Sequence, residues 1–210
     1  MKYDLVFLDL DGTLVDSGAD IAASLNWALR HEGMAELPEP RIIAAIGGGL
    51  AILLDRTIGA DHPRRAQVHA RVIEHYSAHL LDRTTLYPGV RETLERISVP
   101  RVIVTNKPEA MSRSLLAGLR IDGLFAAIYG GDTLPKRKPD PGAVLASLEN
   151  FRVPRSRAIL VGDSGVDLAT TRAAGIDCCG VTYGYAMPGE LEGARYTIGR
   201  FPDLLPIVTG

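Results

Sequence analysis

Leu5-Val6-Phe7-Leu8-Asp9-Leu10-Asp11-Gly12-Thr13-Leu14-Val15-Asp16-Ser17 is the stretch on which the reading of this chain turns. Four apolar residues run into two carboxylates one residue apart, and then into a glycine. A short apolar run closed by a turn signal predicts a buried strand of a parallel sheet. Acidic groups at the carboxyl end of such a strand lie where open α/β sheets bind ligands. A strand that simply continued would send alternate side chains to opposite faces. For Asp9 and Asp11 to reach one site, the chain must bend after Asp9, and Gly12 permits that bend. Asp-Gly by itself is a common turn pair and would mark no more than the end of a strand.

Beyond this stretch, residues up to about Arg83 read as helix only. Ile21, Leu25, Ala28 and Leu29 recur at helical spacing beside Trp27, and the candidate helices are 20–32, 39–46, 50–58 and 63–82, with Gly and Pro between them. The character changes at Tyr87-Pro88-Gly89. Pro88 suits a helix start, and Val90, Leu94 and Ile97 form one apolar face. Predicted strands at 101–105, 126–129, 158–162 and 177–181 then alternate with helices that open at Pro108, at Asp140-Pro141 and at Val166, the last closed by Gly175. Strands alternating with helices indicate an α/β fold with a doubly wound parallel sheet. The helical block interrupts that alternation after one strand. It is expected to be an inserted domain over 16–83, with 1–15 and 84–210 forming the core.

The chain of 210 residues is 46% hydrophobic, as a well-cored globular protein is. A net charge of -2 offers no basic surface for nucleic acid or membrane. The two cysteines, Cys178 and Cys179, are adjacent and fall in a predicted buried strand, where they read as small apolar residues. The first apolar run is short and carries Asp4, Asp9 and Asp11, unlike a secretory signal, and no stretch approaches the ~20 apolar residues of a membrane span. The expectation is a soluble cytoplasmic protein.

The opening stretch resembles the first motif of the haloacid dehalogenase superfamily in its phosphatase branch. Val104-Thr105-Asn106, Lys138-Pro139 and Gly162-Asp163-Ser164-Gly165-Val166-Asp167 resemble the later motifs, in the family's order and each after a predicted strand. The resemblance covers essentially the whole chain. It implies a Rossmann-like core with a helical cap over the active site, and a Mg²⁺-dependent phosphomonoesterase that works through an aspartyl-phosphate. Asp9 would be the nucleophile, since a carboxylate is ionised at neutral pH and needs no activating base. Asp11 would be the general acid and base, and this second aspartate is what the dehalogenases lack. The pattern gives Mg²⁺ the side chains of Asp9 and Asp163 and the backbone oxygen of Asp11, with Asp167 holding the metal's waters. Thr105 and the N–H of Asn106 could hold phosphoryl oxygens. Lys138 would neutralise charge on the transferring group. Lys136 and Arg137 are rival bases in the same loop, and Lys138 is preferred because Lys138-Pro139-Asp140-Pro141 matches the family. Lys107 reads as a base at the rim or behind the catalytic residues.

In the helical block, Ile46-Gly47-Gly48-Gly49-Leu50, with Asp55-Arg56 after it, is similar to the cap segment of the phosphoglycolate phosphatase group. Gly47, Gly48 and Gly49 can bring bare backbone N–H groups to a small anion, or they can be a flexible connection. Arg41 and Arg56 are possible partners for a substrate carboxylate, and otherwise solvated helix surface. His62, His69, His75 and His79 follow no tight metal-ligand pattern. The block has no lysine, which argues against the phosphonate-cleaving relatives, and Leu50 stands where the sugar-phosphate mutases carry arginine. The expected partner is a small phosphorylated metabolite, most closely phosphoglycolate. A sugar phosphate, nucleotide or pyrophosphate is the alternative within the class, a non-catalytic binding protein the alternative outside it, and the expected assembly is a monomer or homodimer.

Overall fold

The computed structural model describes residues 1–210. In chain order the elements are β1 (Leu5–Leu8), β2 (Val15–Asp16), α1 (Gly18–His31), α2 (Glu39–Ile43), α3 (Leu50–Ile58), α4 (Arg65–Ala78), β3 (Thr85–Leu86), α5 (Val90–Arg96) and β4 (Arg101–Val104). They continue as α6 (Glu109–Gly118), β5 (Ala127–Tyr129), α7 (Gly142–Phe151), β6 (Ala158–Gly162), α8 (Gly165–Ala174), β7 (Asp177–Val181), β8 (Tyr196–Ile198) and α9 (Leu204–Thr209).

Six strands form one sheet in the order β5-β4-β1-β6-β7-β8, every neighbouring pair parallel. The strands read as continuous apolar runs because both faces are covered. Val6 and Leu8 pack with Ile103, Ile159 and Val161 on one face. Leu5 and Phe7 pack with Val102, Val104 and Leu160 on the other, against Val144, Leu148 and Ala174 from α7 and α8. β4 and β5 build outward from one side of β1, and β6 to β8 from the other. The order therefore reverses at β1, and the carboxyl ends of β1, β4 and β6 lie side by side there. The strand β8 has no counterpart in the sequence reading, since three residues are too few to show a period.

Helices α1 to α4 fall between β2 and β3. Ile21, Leu25 and Leu29 of α1 belong to one apolar cluster with Leu53 and Leu54 of α3 and Val68, Val72 and Tyr76 of α4. The two crossings between this block and the sheet pair as an antiparallel ribbon, Val15 opposite Leu86 and Asp16 opposite Thr85. Asp20, in the first turn of α1, holds the second crossing. Its buried Oδ2 accepts hydrogen bonds from Arg83 N (3.0 Å), Thr84 N (2.8 Å) and Thr84 Oγ1 (2.7 Å). Asp20→Ala leaves these donors without an acceptor and is expected to cost about 3 kcal/mol of stability. Urea denaturation checks this, and an unchanged midpoint would mean that the ribbon holds without Asp20.

Candidate active site

The chain bends where the sequence required it. Leu10 O accepts from the N–H groups of Thr13 (3.3 Å), Leu14 (2.9 Å) and Val15 (3.1 Å), closing a tight loop in which Gly12 has φ +79°. A side chain at Gly12 would collide with the Asp163 carboxylate, so this glycine serves both the turn and the close approach of the two loops.

Asp9, at the end of β1, is buried. Its N–H donates to Val161 O of β6 (2.9 Å), and its Oδ1 accepts from Leu10 N (2.8 Å). Lys138, nearly inaccessible, places its Nζ 3.0 Å from Asp9 Oδ1 and 2.6 Å from Asp167 Oδ1. Burial pushes the Asp9 carboxyl up to about 6, with Lys138 opposing the shift and Asp167 adding to it. The rival bases separate by exposure: Lys136 is 79% exposed in its side chain and Arg137 is also exposed.

Asp163 follows β6. Its Oδ2 accepts from Tyr185 N (2.7 Å), and Thr13 Oγ1 donates to Oδ1 at 3.4 Å. Burial, then the charges of Asp167 and Asp9, hold its carboxyl well above the usual range. The carboxylate oxygens of Asp9, Asp163 and Asp167 lie within 4.8 Å of one another, an arrangement able to hold a metal ion. Asp167 has a further task. Its Oδ2 accepts from Ser164 N (3.1 Å) and Ser164 Oγ (2.7 Å), capping α8, while Oδ1 holds Lys138.

Asp11 stands one turn beyond Asp9. Ser17 Oγ donates to its Oδ1 at 2.6 Å, and Lys107 Nζ lies 2.9 Å from each of its two oxygens. Of its two expected places, at the rim or behind the catalytic residues, Lys107 takes the second. It is buried, bonded directly to Asp11, and donates to Tyr76 Oη of α4 at 2.8 Å. Burial would lower its pKa, but Asp11 and Tyr76 outweigh burial and raise it. Thr105 is buried at the end of β4, and its Oγ1 accepts from Lys107 N at 3.3 Å. Asn106 donates from Nδ2 to Lys138 O at 3.1 Å, while its Oδ1 is buried without a partner.

A cavity of about 80 Å³ lies between the sheet's carboxyl ends and the helical block. Asp9, Asp11, Thr105, Asn106 and Lys107 line it from below, and Gly47, Gly49 and apolar residues of α1, α3 and α4 line it from above. Gly48 is not part of the wall. A side chain there would meet Ile52 at 2.7 Å. Gly47 (φ +128°) and Gly49 (φ +83°) pass close to Ser164 and Asn106 respectively, so the block also touches the core here. Arg41 and Arg56 face elsewhere: Arg41 donates to Thr57 O (3.2 Å) and Arg56 to Ala45 O (3.2 Å), tying α2 to α3. His75 and His79 bond Ser24 Oγ (3.0 Å) and Asp82 Oδ2 (2.7 Å), and neither joins the acidic cluster.

The sequence reading missed Tyr183-Gly184-Tyr185. Tyr185 Oη is within 2.9 Å of Ser17 N, 2.8 Å of Gly18 N and 2.9 Å of Asp16 Oδ1, so one side chain clasps the first crossing while its N–H holds Asp163. Tyr183 Oη donates to Thr13 O at 2.8 Å. The available signal was positional: these residues follow a core strand at its carboxyl end, where ligand sites form.

Comparison with known proteins points to one family. A phosphoglycolate phosphatase of Chromobacterium violaceum is 37% identical over 212 residues, spanning 97% of this chain and 95% of that protein. A phosphoglycolate phosphatase of Cereibacter sphaeroides is 39% identical over 209 residues, spanning 96% and 95%. The crystal structure of a predicted phosphoglycolate phosphatase from Haemophilus somnus superposes with a TM-score of 0.92 at 30% identity, over 99% of this chain and 98% of that one. The family profile of haloacid dehalogenase-like hydrolases matches residues 6–181, from the first core strand to the fifth, and the chain belongs to that family.

Proposed function

We propose that this protein hydrolyses phosphoglycolate in two displacements, with the phosphoryl group held on Asp9 between them. The observation that carries the proposal is the 3.0 Å contact between Asp9 and Lys138, in a buried site one turn from Asp11. Leu10 N–H and Lys138 both bond Asp9 Oδ1, which leaves Oδ2 to attack phosphorus. As the Oδ2–P bond forms, the bond from phosphorus to the ester oxygen breaks, and Asp11 gives that oxygen its proton. Ser17 and Lys107 fix the Asp11 carboxyl for this transfer. Water then attacks the phosphorus, Asp11 takes its proton, and Asp9 is regenerated as phosphate leaves. Thr105 Oγ1 and the N–H of Asn106 donate to the phosphoryl oxygens, and Lys138 balances their growing charge.

The residues present fit Mg²⁺. Three buried carboxylates face one ammonium, Lys138, so the cluster carries uncompensated negative charge. Asp9, Asp163 and the backbone oxygen of Asp11 would hold the ion, an all-oxygen set of the kind it prefers. Asp167, with both oxygens engaged by the chain, would reach only its waters. When bound, the ion supplies charge neutralisation between the Asp9 carboxylate and the incoming phosphoryl group.

Folded Asp9 titrates at about 6, against 3.8 for an ordinary aspartate, and Asp163 is also raised. Without metal, this contribution to stability is full below the ordinary value and is lost as pH rises through about 6. Protons and metal compete for the same oxygens. Saturating Mg²⁺ is therefore expected to raise Tm by several degrees near pH ~8 and by much less near pH ~5. Equal gains at both would remove the cluster from metal binding.

The substrate part of the proposal rests on the relatives and on the cavity, whose volume of about 80 Å³ favours a small leaving group. The test is kcat/KM with Mg²⁺ across phosphoglycolate, hexose phosphates, nucleoside monophosphates and pyrophosphate. Phosphoglycolate is expected to lead, and a hexose phosphate or nucleotide at the head would replace it as substrate.

A further inference from the structure

The wall of the cavity above the phosphoryl site is apolar, with Ile46, Leu50, Leu53, Val72 and Ile73 on it. Lys107 is the one cation on the lining. The arginines that could have met a substrate carboxylate, Arg41 and Arg56, are not on this lining and donate to backbone carbonyls of the helical block. An anionic leaving group closed into such a wall would be left without a counter-charge at any other point. From these observations we infer that Lys107 and Tyr76 together form the seat for a carboxylate on the leaving group. The inference deepens the phosphoglycolate proposal and rests on it.

The hydrogen-bonding capacity of the pair supports this. An ammonium has three donors. Equal distances of 2.9 Å to the two Asp11 oxygens can be served by one bifurcated N–H, Tyr76 Oη at 2.8 Å takes a second, and a third remains. Tyr76 accepts from Lys107 through its oxygen, and the chain offers no acceptor for its own proton. Burial, partly opposed by Lys107, pushes the phenol up to about 12, so it stays a donor at neutral pH. A carboxylate arriving here meets one free N–H and one free O–H, both in a desolvated site where charge-assisted hydrogen bonds are strong. Lys107 comes from the core and Tyr76 from α4, so the same carboxylate would bridge the two.

The test compares phosphoglycolate with its neutral near-isostere, the phosphate ester of glycolamide, on wild-type enzyme, Lys107→Met and Tyr76→Phe. The quantity read is the ratio of the two kcat/KM values on one preparation, which does not depend on how much of a variant is folded. Wild type is expected to prefer the carboxylate at least ~100-fold. Lys107→Met also loosens Asp11 and lowers both rates, but it is expected to cut the preference at least ~10-fold, and Tyr76→Phe by about 3- to 10-fold, with KM for phosphoglycolate rising in both. A preference unchanged in both variants while wild type keeps it overturns the carboxylate seat and leaves the substrate proposal standing. Wild type without any preference for the carboxylate overturns the substrate proposal itself, and the seat with it.

Discussion

Asp9→Asn is expected to lower kcat by at least ~10,000-fold, because an amide neither attacks phosphorus nor serves well as a metal ligand. Folding should survive the change. The amide oxygen can still accept from Leu10 N, the shape is conserved, and burial already disfavours the charge on Asp9, as its raised pKa of about 6 records. Lys138 keeps Asp167 as a partner at 2.6 Å. A thermal melt close to wild type, alongside absent turnover, is the expected pair of results. Turnover within tenfold of wild type would show that another group receives the phosphoryl.

Lys138→Met is expected to damage stability and rate together. Removing the ammonium leaves Asp9 and Asp167 buried at less than a tenth exposure without their shared counter-charge, and breaking such a pair from one side costs about 3–5 kcal/mol. The transferring group also loses its cation, worth about 100- to 1,000-fold in kcat. Lys138→Arg restores the charge but puts a planar fork where a compact ammonium sits between two oxygens, so it should recover less than tenfold of the lost rate. Denaturation and kcat at saturating Mg²⁺ check both halves. A variant with wild-type stability would mean that the Asp9–Lys138–Asp167 contacts do not hold the site together.

These two residues also show how far the sequence could be read. The place of Asp9 at the end of a buried strand was legible locally, from an apolar run, a carboxylate and a glycine that lets the chain turn, while its role as nucleophile came from the likeness to the family. Lys138 was separable from Lys136 and Arg137 only through its likeness to the family, and burial of Lys138 beside the exposed pair is a fact of tertiary packing. Elements with a clear period were placed within a few residues, as with α3 at Leu50–Ile58 and β6 at Ala158–Gly162. The ribbon of Val15–Asp16 with Thr85–Leu86 and the strand Tyr196–Ile198 were not, since segments of two or three residues carry no period and form because a neighbour supplies their hydrogen bonds. The sequence left Lys107 between the rim and a place behind the catalytic residues for a related reason. A lysine in a loop reads as solvated until a carboxylate 96 residues earlier and a tyrosine 31 residues earlier are folded against it. Tyr185 and Asp20, which clasp the two crossings, likewise join parts of the chain that no local pattern connects.

The central claim is that the phosphoryl group rests on Asp9 between two displacements. An acyl phosphate is reduced by borohydride to an alcohol, whereas a free carboxylate is not. Enzyme quenched during steady turnover of phosphoglycolate, treated with borohydride and digested should therefore yield the peptide around Phe7-Leu8-Asp9-Leu10 with the aspartate converted to homoserine, and Asp9→Asn should yield none. Homoserine at a different aspartate, or none in enzyme that is turning over, would contradict the account.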